Sequence, residues 1–275
     1  MKIISENTLP QYARNCCVGF SVASFAGPLI AGFFAAWIEW RILFYIAGLI
    51  NFVLGVITFI VLVRFEKIGY IVYSEKTAEK EKKRFWDIFK IKKFILYMYI
   101  GALVEIVASS VTFWVPVYLA EHLSFSASQS SILYSVISIL NVLSPFIGVY
   151  LFAKTKENDM LVMKIMFGIA AATFLLMAFV GNKWLNMVLL MLARTASGCS
   201  ASMLWSVYIP SLKDTGFVST ANGFLDFSGY IAASAANVFF ANAVGMIGWT
   251  GLIYVWAGLM VSGVAAIIIH SLVKK

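Results

Sequence analysis

Eight long apolar segments constrain this chain more than any other feature of its sequence. Each is roughly 20 residues long, and at 1.5 Å per helical residue that length crosses the roughly 30 Å hydrocarbon core of a membrane. None of them alternates apolar and polar residues as a barrel strand does. We therefore predict an all-α polytopic membrane protein with eight transmembrane helices. The segments are 16–38, 42–63, 94–118, 130–152, 160–180, 184–208, 217–241 and 249–272.

The distribution of positive charge predicts the orientation of these helices. With the N-terminus in the cytoplasm, 18 of the 21 Lys and Arg residues fall in cytoplasmic segments, and the outer loops keep Arg41 and Lys183. This is the positive-inside pattern, so we expect both termini on the cytoplasmic side of a plasma or inner membrane. The net charge of +8 then reflects topology and attraction to membrane lipid. No nucleic-acid partner is expected.

One basic stretch divides the chain unequally. Residues 64–93 hold ten Lys or Arg and five Asp or Glu, with two apolar segments before them and six after. We predict three regions: a pair of transmembrane helices in 1–63, a basic cytoplasmic loop in 64–93, and a six-helix bundle in 94–275. The two-plus-six division is unusual because helical transporters are generally built from two similar halves.

The second part of the basic loop has an amphipathic pattern. Phe85, Ile88 and Phe89 share one helical face, and the lysines lie on the other. This pattern favours a helix that lies in the plane of the lipid headgroups. A solvated linker with incidental aromatic residues is the alternative interpretation.

Residues typical of catalytic or metal sites are sparse. The three cysteines include the adjacent pair Cys16 and Cys17, and the two histidines, His122 and His270, have no Asp, Glu or Cys at ligand spacing. Neither a nucleophile–base spacing nor a Gly-rich phosphate loop ending in Lys is visible. We therefore expect no enzyme activity, no cofactor and no metal site.

Motifs in order along the chain resemble those of the major facilitator superfamily. Gly27, Pro28 and Gly32 stand in a pattern similar to the antiporter-type motif of the family's fifth helix, and Arg41 follows where its sixth helix begins. Trp114-Val115-Pro116-x-Tyr118-Leu119 resembles the end of the seventh helix in sugar-phosphate-permease-like (organophosphate antiporter-like) members. Arg194-xxx-Gly198 resembles the repeat counterpart of the fourth-helix Arg motif, and the stretch from Gly223 to Tyr230 resembles the eleventh helix.

The resemblance implies that the eight segments are helices five to twelve of that fold and that 64–93 is its central loop. Nothing in the sequence corresponds to the family's first four helices. Two explanations remain open: an N-terminally truncated or mis-started gene product, or a natural eight-helix variant. Either a separate fragment supplying helices one to four or a second copy of the chain is then an expected partner.

Three formally charged residues lie deep inside the apolar segments. Glu105, Arg194 and Asp226 stand about 17, 15 and 14 Å from the start of their segments at 1.5 Å per residue, close to the bilayer midplane. A charge at that depth costs roughly 2.5–3.5 kcal/mol on insertion scales, so such residues usually face a cavity or one another.

The family arrangement implies that Glu105 and Arg194 line the central cavity. Our hypothesis makes Glu105 a proton-coupling or substrate-cation site, with Arg194 as its counter-charge or as an anion contact. A fixed structural pair is the alternative, and Asp226 is as consistent with helix packing or gating as with substrate binding. Further candidates for lining the cavity are Asn141, Trp205, Asn222 and Tyr230.

These observations predict a secondary transporter that moves a small polar or organic solute by alternating access around a midplane site. Phosphate-ester antiporters of the family hold substrate with a basic residue on the seventh helix, and this chain has none between Phe94 and Tyr118. The alternative function is a permease-related solute sensor or a fragment that does not transport.

Overall fold

The computed structural model describes residues 39–71 and 85–273. Within them every long element is helical, and no strand occurs. The segment predicted at 16–38, which carries Gly27, Pro28 and Gly32, lies outside the described residues, and Arg41 lies inside them. The long helices are α1 Trp40–Ile68, α2 Phe94–Glu121, α3 Ala127–Lys154, α4 Asp159–Met177, α5 Lys183–Ser202 and α6 Val218–Val273.

Six helices in the described part of the chain are long and apolar enough to cross a membrane. α6 accounts for two of the predicted segments because its backbone is non-helical at Gly248, where φ is 68° and ψ is −179°. Glycine suits this position because a positive φ carries no Cβ penalty there. We call residues 218–247 the first arm of α6 and residues 249–273 its second arm.

Contacts along α2 show that the chain reverses direction between the two arms. On the first arm, Phe224 contacts Phe94 near the start of α2, and Asn237 bonds to Ser109 farther along it. On the second arm, Trp249 contacts Tyr118 near the end of α2. Tyr99, near the start of α2, bonds to Ser262 later on this arm. The arms are therefore antiparallel, in agreement with separate segments at 217–241 and 249–272.

Polar caps delimit the helices after α2. The Ser126 hydroxyl accepts a bond from the Gln129 amide N–H at 3.2 Å, and the Gln129 side chain accepts one from the Ser126 N–H at 3.1 Å. This reciprocal capping box satisfies N–H groups that a helix start leaves unbonded. Asn158 and Asn182 cap α4 and α5 in the same sense, each through its side-chain oxygen. The connections between these helices are consequently short.

The buried core runs between α2, α4, α5 and both arms of α6. Fully buried side chains in it include Val107, Phe167, Phe174 and Trp256. Close approach of α3 and α5 depends on small residues: a Cβ on Gly198 would lie 2.4 Å from the Ser144 hydroxyl oxygen. Such contacts are typical of helix pairs that associate in lipid.

Two short irregular elements depart from the predicted pattern. The amphipathic part of the basic loop forms a 3-10 helix, Phe85–Lys90, which docks on the bundle through the fully buried side chain of Ile88. α5 passes into a π-helical turn, Met203–Tyr208, before ending at Ser211. The sequence predicts a regular helix over 184–208. The wider π-helical turn rotates the residues that follow it relative to those before it, and the apolar periodicity does not reveal this rotation.

The side chains of α1 differ from those of the bundle in their exposure. None that is described is buried, and Phe44, Tyr45 and Phe52 are exposed. An apolar helix of this length is stable only in contact with lipid or with other apolar helices.

Candidate functional site

Glu105, Arg194 and Asp226 come together inside the bundle from three different helices. Glu105 lies on α2, Arg194 on α5 and Asp226 on the first arm of α6. The charge of Glu105 interacts electrostatically with both Arg194 and Asp226. Arg194 is only 6% exposed, whereas the two carboxylates are half-buried. We call these three residues the charged cluster.

The first arm of α6 contributes Asp226 and two polar neighbours to the charged cluster. The Asn222 amide donates to the Asp226 carboxylate at 2.7 Å, across one helical turn. Tyr230 follows one turn later, is 66% exposed, and its phenol interacts electrostatically with both Glu105 and Asp226. The predicted residues Asn222, Asp226 and Tyr230 therefore form one stripe on the first arm, beside Glu105.

Glu105 packs against a gap in that stripe. A Cβ built on Gly229 would lie 2.7 Å from the Glu105 Cγ and 3.3 Å from its Cβ. Because Gly229 has no side chain, the first arm of α6 leaves room for the stem of Glu105 there. The role of Gly229 cannot be predicted from the sequence, because it depends on which helix faces this glycine.

α5 sets the position of Arg194 through its packing on α3. Arg194 interacts electrostatically with Tyr134 of α3 as well as with Glu105. One turn later, Gly198 meets Ser144, and the Cys199 thiol donates to the Ser144 carbonyl at 3.2 Å. The close α3–α5 contact thus fixes the backbone from which the guanidinium extends.

Two further predicted cavity-lining residues lie on α3 and in the π-helical turn. Asn141 is buried on α3, one turn before Ser144, and its side-chain oxygen has no hydrogen-bond partner in the described part of the chain. Trp205 lies in the π-helical turn and packs partly against the apolar core.

A set of polar contacts joins the helices at one end of the bundle. This is the end where the 3-10 helix docks, and we call it the linker end. The Lys93 ammonium pairs with the Asp159 carboxylate at 3.2 Å, and the Tyr97 hydroxyl donates to the same carboxylate. The Tyr97 ring stacks on Tyr208 with centroids 3.8 Å apart. These contacts tie α2, α4 and the π-helical turn together.

A second contact set lies at the opposite end of the bundle. The Tyr118 hydroxyl donates to the Asn186 side-chain oxygen at 2.6 Å, and the Asn186 amide donates to the Met177 carbonyl at 2.9 Å. Trp249 and His122 contact the Tyr118 ring. Partial burial lowers the pKa of His122, which lies just beyond the end of α2.

The charged cluster lies between these two contact sets. Along α2, Glu105 is eight residues beyond Tyr97 and thirteen before Tyr118, which places it about 12 and 20 Å from them. Among the described residues, no three His, Cys, Asp or Glu side chains are grouped so that they could hold a metal ion. The charged cluster therefore lies at mid-depth along α2, away from both contact sets.

Comparison with known proteins identifies the fold. The family model described as Major Facilitator Superfamily matches residues 18–237. A solved structure described as a bacterial homologue of the iron transporter ferroportin, in its outward-facing state, is similar to this chain with a TM-score of 0.55 and 13% sequence identity. The similarity covers 78% of this chain and 52% of that one, so the chain spans about half of that structure. No curated protein matches the sequence.

Proposed function

The chain belongs to the Major Facilitator Superfamily, and from that membership we propose that it is a secondary transporter, or the larger part of one. It moves a small polar or organic solute across a membrane by alternating access. The charged cluster of Glu105, Arg194 and Asp226 is its central site. The observation that carries this proposal is the convergence of three charged side chains from α2, α5 and α6 at mid-depth of an apolar bundle.

The energetic argument favours a functional cluster over an incidental one. A charged residue at the centre of a membrane costs roughly 2.5–3.5 kcal/mol on insertion scales, so three of them require compensation. Arg194 and Glu105 partly neutralise each other, and Asp226 leaves the cluster with one excess negative charge when all three are ionised. A solute cation or a proton can balance that excess.

We further propose that Glu105 couples transport to protons. The charge of Arg194 favours the ionised form of Glu105 and partly offsets the opposite effect of burial, and a movement of α5 relative to α2 would weaken that influence. Glu105 would then take up a proton, and its return toward Arg194 would release it. Asn222 and Tyr230 flank the carboxylates and provide an amide and an aromatic surface for solute. The exposed Tyr230 ring is suited to a solute cation.

In the register implied by the motifs, α2 to α6 correspond to helices seven to twelve of the fold, and α1 corresponds to helix six. Alternating access requires two halves that move about the site. We propose that a separate fragment with helices one to four, or a second copy of the chain, covers α1. The exposed apolar side chains of α1 support such a contact.

The absence of any basic residue from α2 argues against phosphate esters as solutes, although one motif resembles the sugar-phosphate-permease branch. We propose instead that the solute is a small polar or organic molecule without a phosphate group. The positive-inside pattern supports a plasma or inner membrane with both termini cytoplasmic.

Uptake by the full chain in proteoliposomes tests the proposal. Amino acids, sugars, organic acids and organic amines are supplied as radiolabelled probes under an imposed proton gradient. Glu105→Gln and Arg194→Ala should each abolish gradient-driven uptake while inserting normally. Glu121→Gln, an exposed residue at the end of α2, is the matched control and should retain uptake. Undiminished uptake by both cluster variants would contradict the proposed site.

A permease-related solute sensor is the alternative function. Its signature would be saturable solute binding by the detergent-purified chain, lost in Glu105→Gln, with no uptake in proteoliposomes. Uptake that depends on Glu105 would exclude this alternative.

A further inference from the structure

We propose that Gly229 is the positioning residue for Glu105: the space left by its missing side chain determines where the Glu105 carboxylate stands relative to Arg194 and Asp226. The functional consequence rests on the transport role proposed above. The contact itself does not, and it can be tested separately.

The geometry of the gap is specific to one side chain. The atoms nearest to a Cβ on Gly229 all belong to Glu105: its Cγ at 2.7 Å, its Cβ at 3.3 Å and its Cδ at 3.9 Å. Real Cβ atoms essentially never approach another heavy atom within 3.0 Å. A methyl group at Gly229 must therefore displace the Glu105 Cγ, and rotation about χ1 moves that atom, and the carboxylate with it, without moving the backbone of α2.

The displacement would act directly on the charged cluster. Gly229 lies one helical turn beyond Asp226 and immediately before Tyr230, so the Glu105 stem rests on the face that carries both. The Glu105 carboxylate interacts electrostatically with Arg194 on α5 and with Asp226 on α6. A shift of Glu105 changes its distances to both, and with them the balance of charge that governs proton uptake.

Two other glycines on the first arm of α6 make no such close contact. A Cβ at Gly223 or at Gly245 would meet no heavy atom within 4 Å. Gly223 lies six residues before Gly229 on the same helix, and its neighbourhood is open. Gly223→Ala therefore makes the same chemical change in the same element without touching Glu105, which makes it the matched control.

A helix-packing role for Gly229 makes different predictions. Small residues often permit close backbone approach between membrane helices, and a substitution would then separate α2 from α6 regardless of the residue at 105. In a positioning role, the effect of Gly229→Ala depends on the Glu105 side chain. Removing that side chain should remove most of the effect.

The first experiment is a double-mutant cycle on thermal unfolding of the purified full chain. Gly229→Ala should lower the melting temperature when Glu105 is present. It should lower the melting temperature much less in a Glu105→Ala background, where the Cγ contact is gone and only the 3.3 Å contact with the residue-105 Cβ remains. Gly223→Ala should behave alike in both backgrounds. An equal decrease caused by Gly229→Ala in both backgrounds would overturn the proposal.

The second experiment measures the pH profile of gradient-driven uptake in proteoliposomes. Gly229→Ala should move the midpoint of the profile and lower the maximal rate on the order of tenfold or more, as misplacement by about 1 Å does in other sites. Gly223→Ala should keep the wild-type midpoint. A wild-type midpoint in Gly229→Ala would also overturn the proposal.

The two experiments separate this inference from the proposed function. If wild-type chain moves no solute, transport by this chain alone is ruled out, and the thermal cycle alone decides whether Gly229 positions Glu105. If uptake depends on Glu105 but the cycle shows no coupling to Gly229, the transport proposal stands and the positioning role is wrong.

Discussion

Tyr118 links three elements through a single phenol. Its hydroxyl bonds to Asn186 of α5, which in turn bonds to the last residue of α4, and its ring contacts Trp249 at the start of the second arm of α6. The residue is fully buried. A hydrogen bond between membrane helices contributes about 0.6 kcal/mol on average and up to about 1.7 kcal/mol.

Tyr118→Phe should therefore lower the free energy of unfolding by about 1 kcal/mol, because it removes this hydrogen bond and leaves the ring contacts intact. Tyr254→Phe is the matched control: Tyr254 is half exposed, and its hydroxyl has no hydrogen bond within the described residues. Thermal or denaturant unfolding in detergent measures both variants. Equal losses in the two variants would show that the Tyr118–Asn186 bond contributes nothing specific.

His122 gives the same end of the bundle a dependence on pH. Partial burial lowers the pKa of His122 below its ordinary value near 6.5. The folded state therefore disfavours the charged imidazole. As a result, the free energy of unfolding decreases as the pH falls from above the ordinary pKa of His toward the lowered pKa of His122. The melting temperature should decrease between pH 7.5 and 5.5, and His122→Gln should reduce that decrease. An unchanged slope in His122→Gln would assign the dependence to other groups.

At the residue scale, the sequence singles out three charged residues, and their role as a site stays a prediction. Glu105, Arg194 and Asp226 stand out because charge is costly in an apolar segment, and the structure brings them together. Gly229 and Asn186 could not be identified in advance, because a glycine or an asparagine gains its role from the facing helix. The cavity-lining role predicted for Asn141 and Trp205 stays a prediction.

Among the elements, Phe85–Lys90 is a helix as its sequence pattern predicts, but it is a 3-10 helix and not an α-helix. Its amphipathic pattern predicted a helix at the membrane surface, and the element docks with Ile88 fully buried while Trp86 is 68% exposed. Phe89 extends the buried face by contacting Phe94 and Phe224. The tight 3-10 geometry was not predicted, because Phe85, Ile88 and Phe89 suit an α-helical turn equally well.

Docking of this element should depend on its buried side. Ile88→Ala should cost about 2–5 kcal/mol of stability, the usual range for truncating a buried aliphatic side chain. Trp86→Ala should cost much less, because that side chain already faces outward. Unfolding measurements on both variants test this difference. A larger loss for Trp86→Ala would mean that the opposite face is the one that docks.

The π-helical turn and the reversal at Gly248 lie beyond what apolar periodicity predicts. A π-helical turn contains about one residue more than an α-helical turn. Its residues are just as apolar, so the apolar pattern does not distinguish the two. Here it brings Tyr208 onto the ring of Tyr97 at the linker end. Such turns occur frequently at functional sites, and this one lies on the helix that carries Arg194.

For the whole molecule, the predicted segments between 94 and 272 are all found as helices or helix arms. Segment lengths and charge distribution suffice for that outline because a membrane admits few alternatives. Which helices pack against one another cannot be predicted from segment lengths and charge distribution, because the apolar segments have similar compositions. The segment at 16–38 lies outside the described residues, and its prediction stays a prediction.

The proposed orientation can be checked with single cysteines in a background where Cys16, Cys17 and Cys199 are replaced by Ser. Lys156→Cys, in the connection after α3, should react with a membrane-impermeant maleimide only after the cells are permeabilised. Gly181→Cys, in the exposed connection before α5, should react in intact cells. The reverse labelling pattern would mean that the positive-inside prediction is wrong for this chain.

Proton-coupled transport through Glu105 is the central claim, and one measurement tests it most directly. Wild-type chain and Glu105→Gln are compared in proteoliposomes for solute exchange at equal pH and for uptake driven by a proton gradient. We expect the wild type to perform both, and Glu105→Gln to retain exchange while losing gradient-driven uptake, because a neutral amide cannot bind and release the coupling proton. Gradient-driven uptake by Glu105→Gln at the wild-type rate would contradict the account.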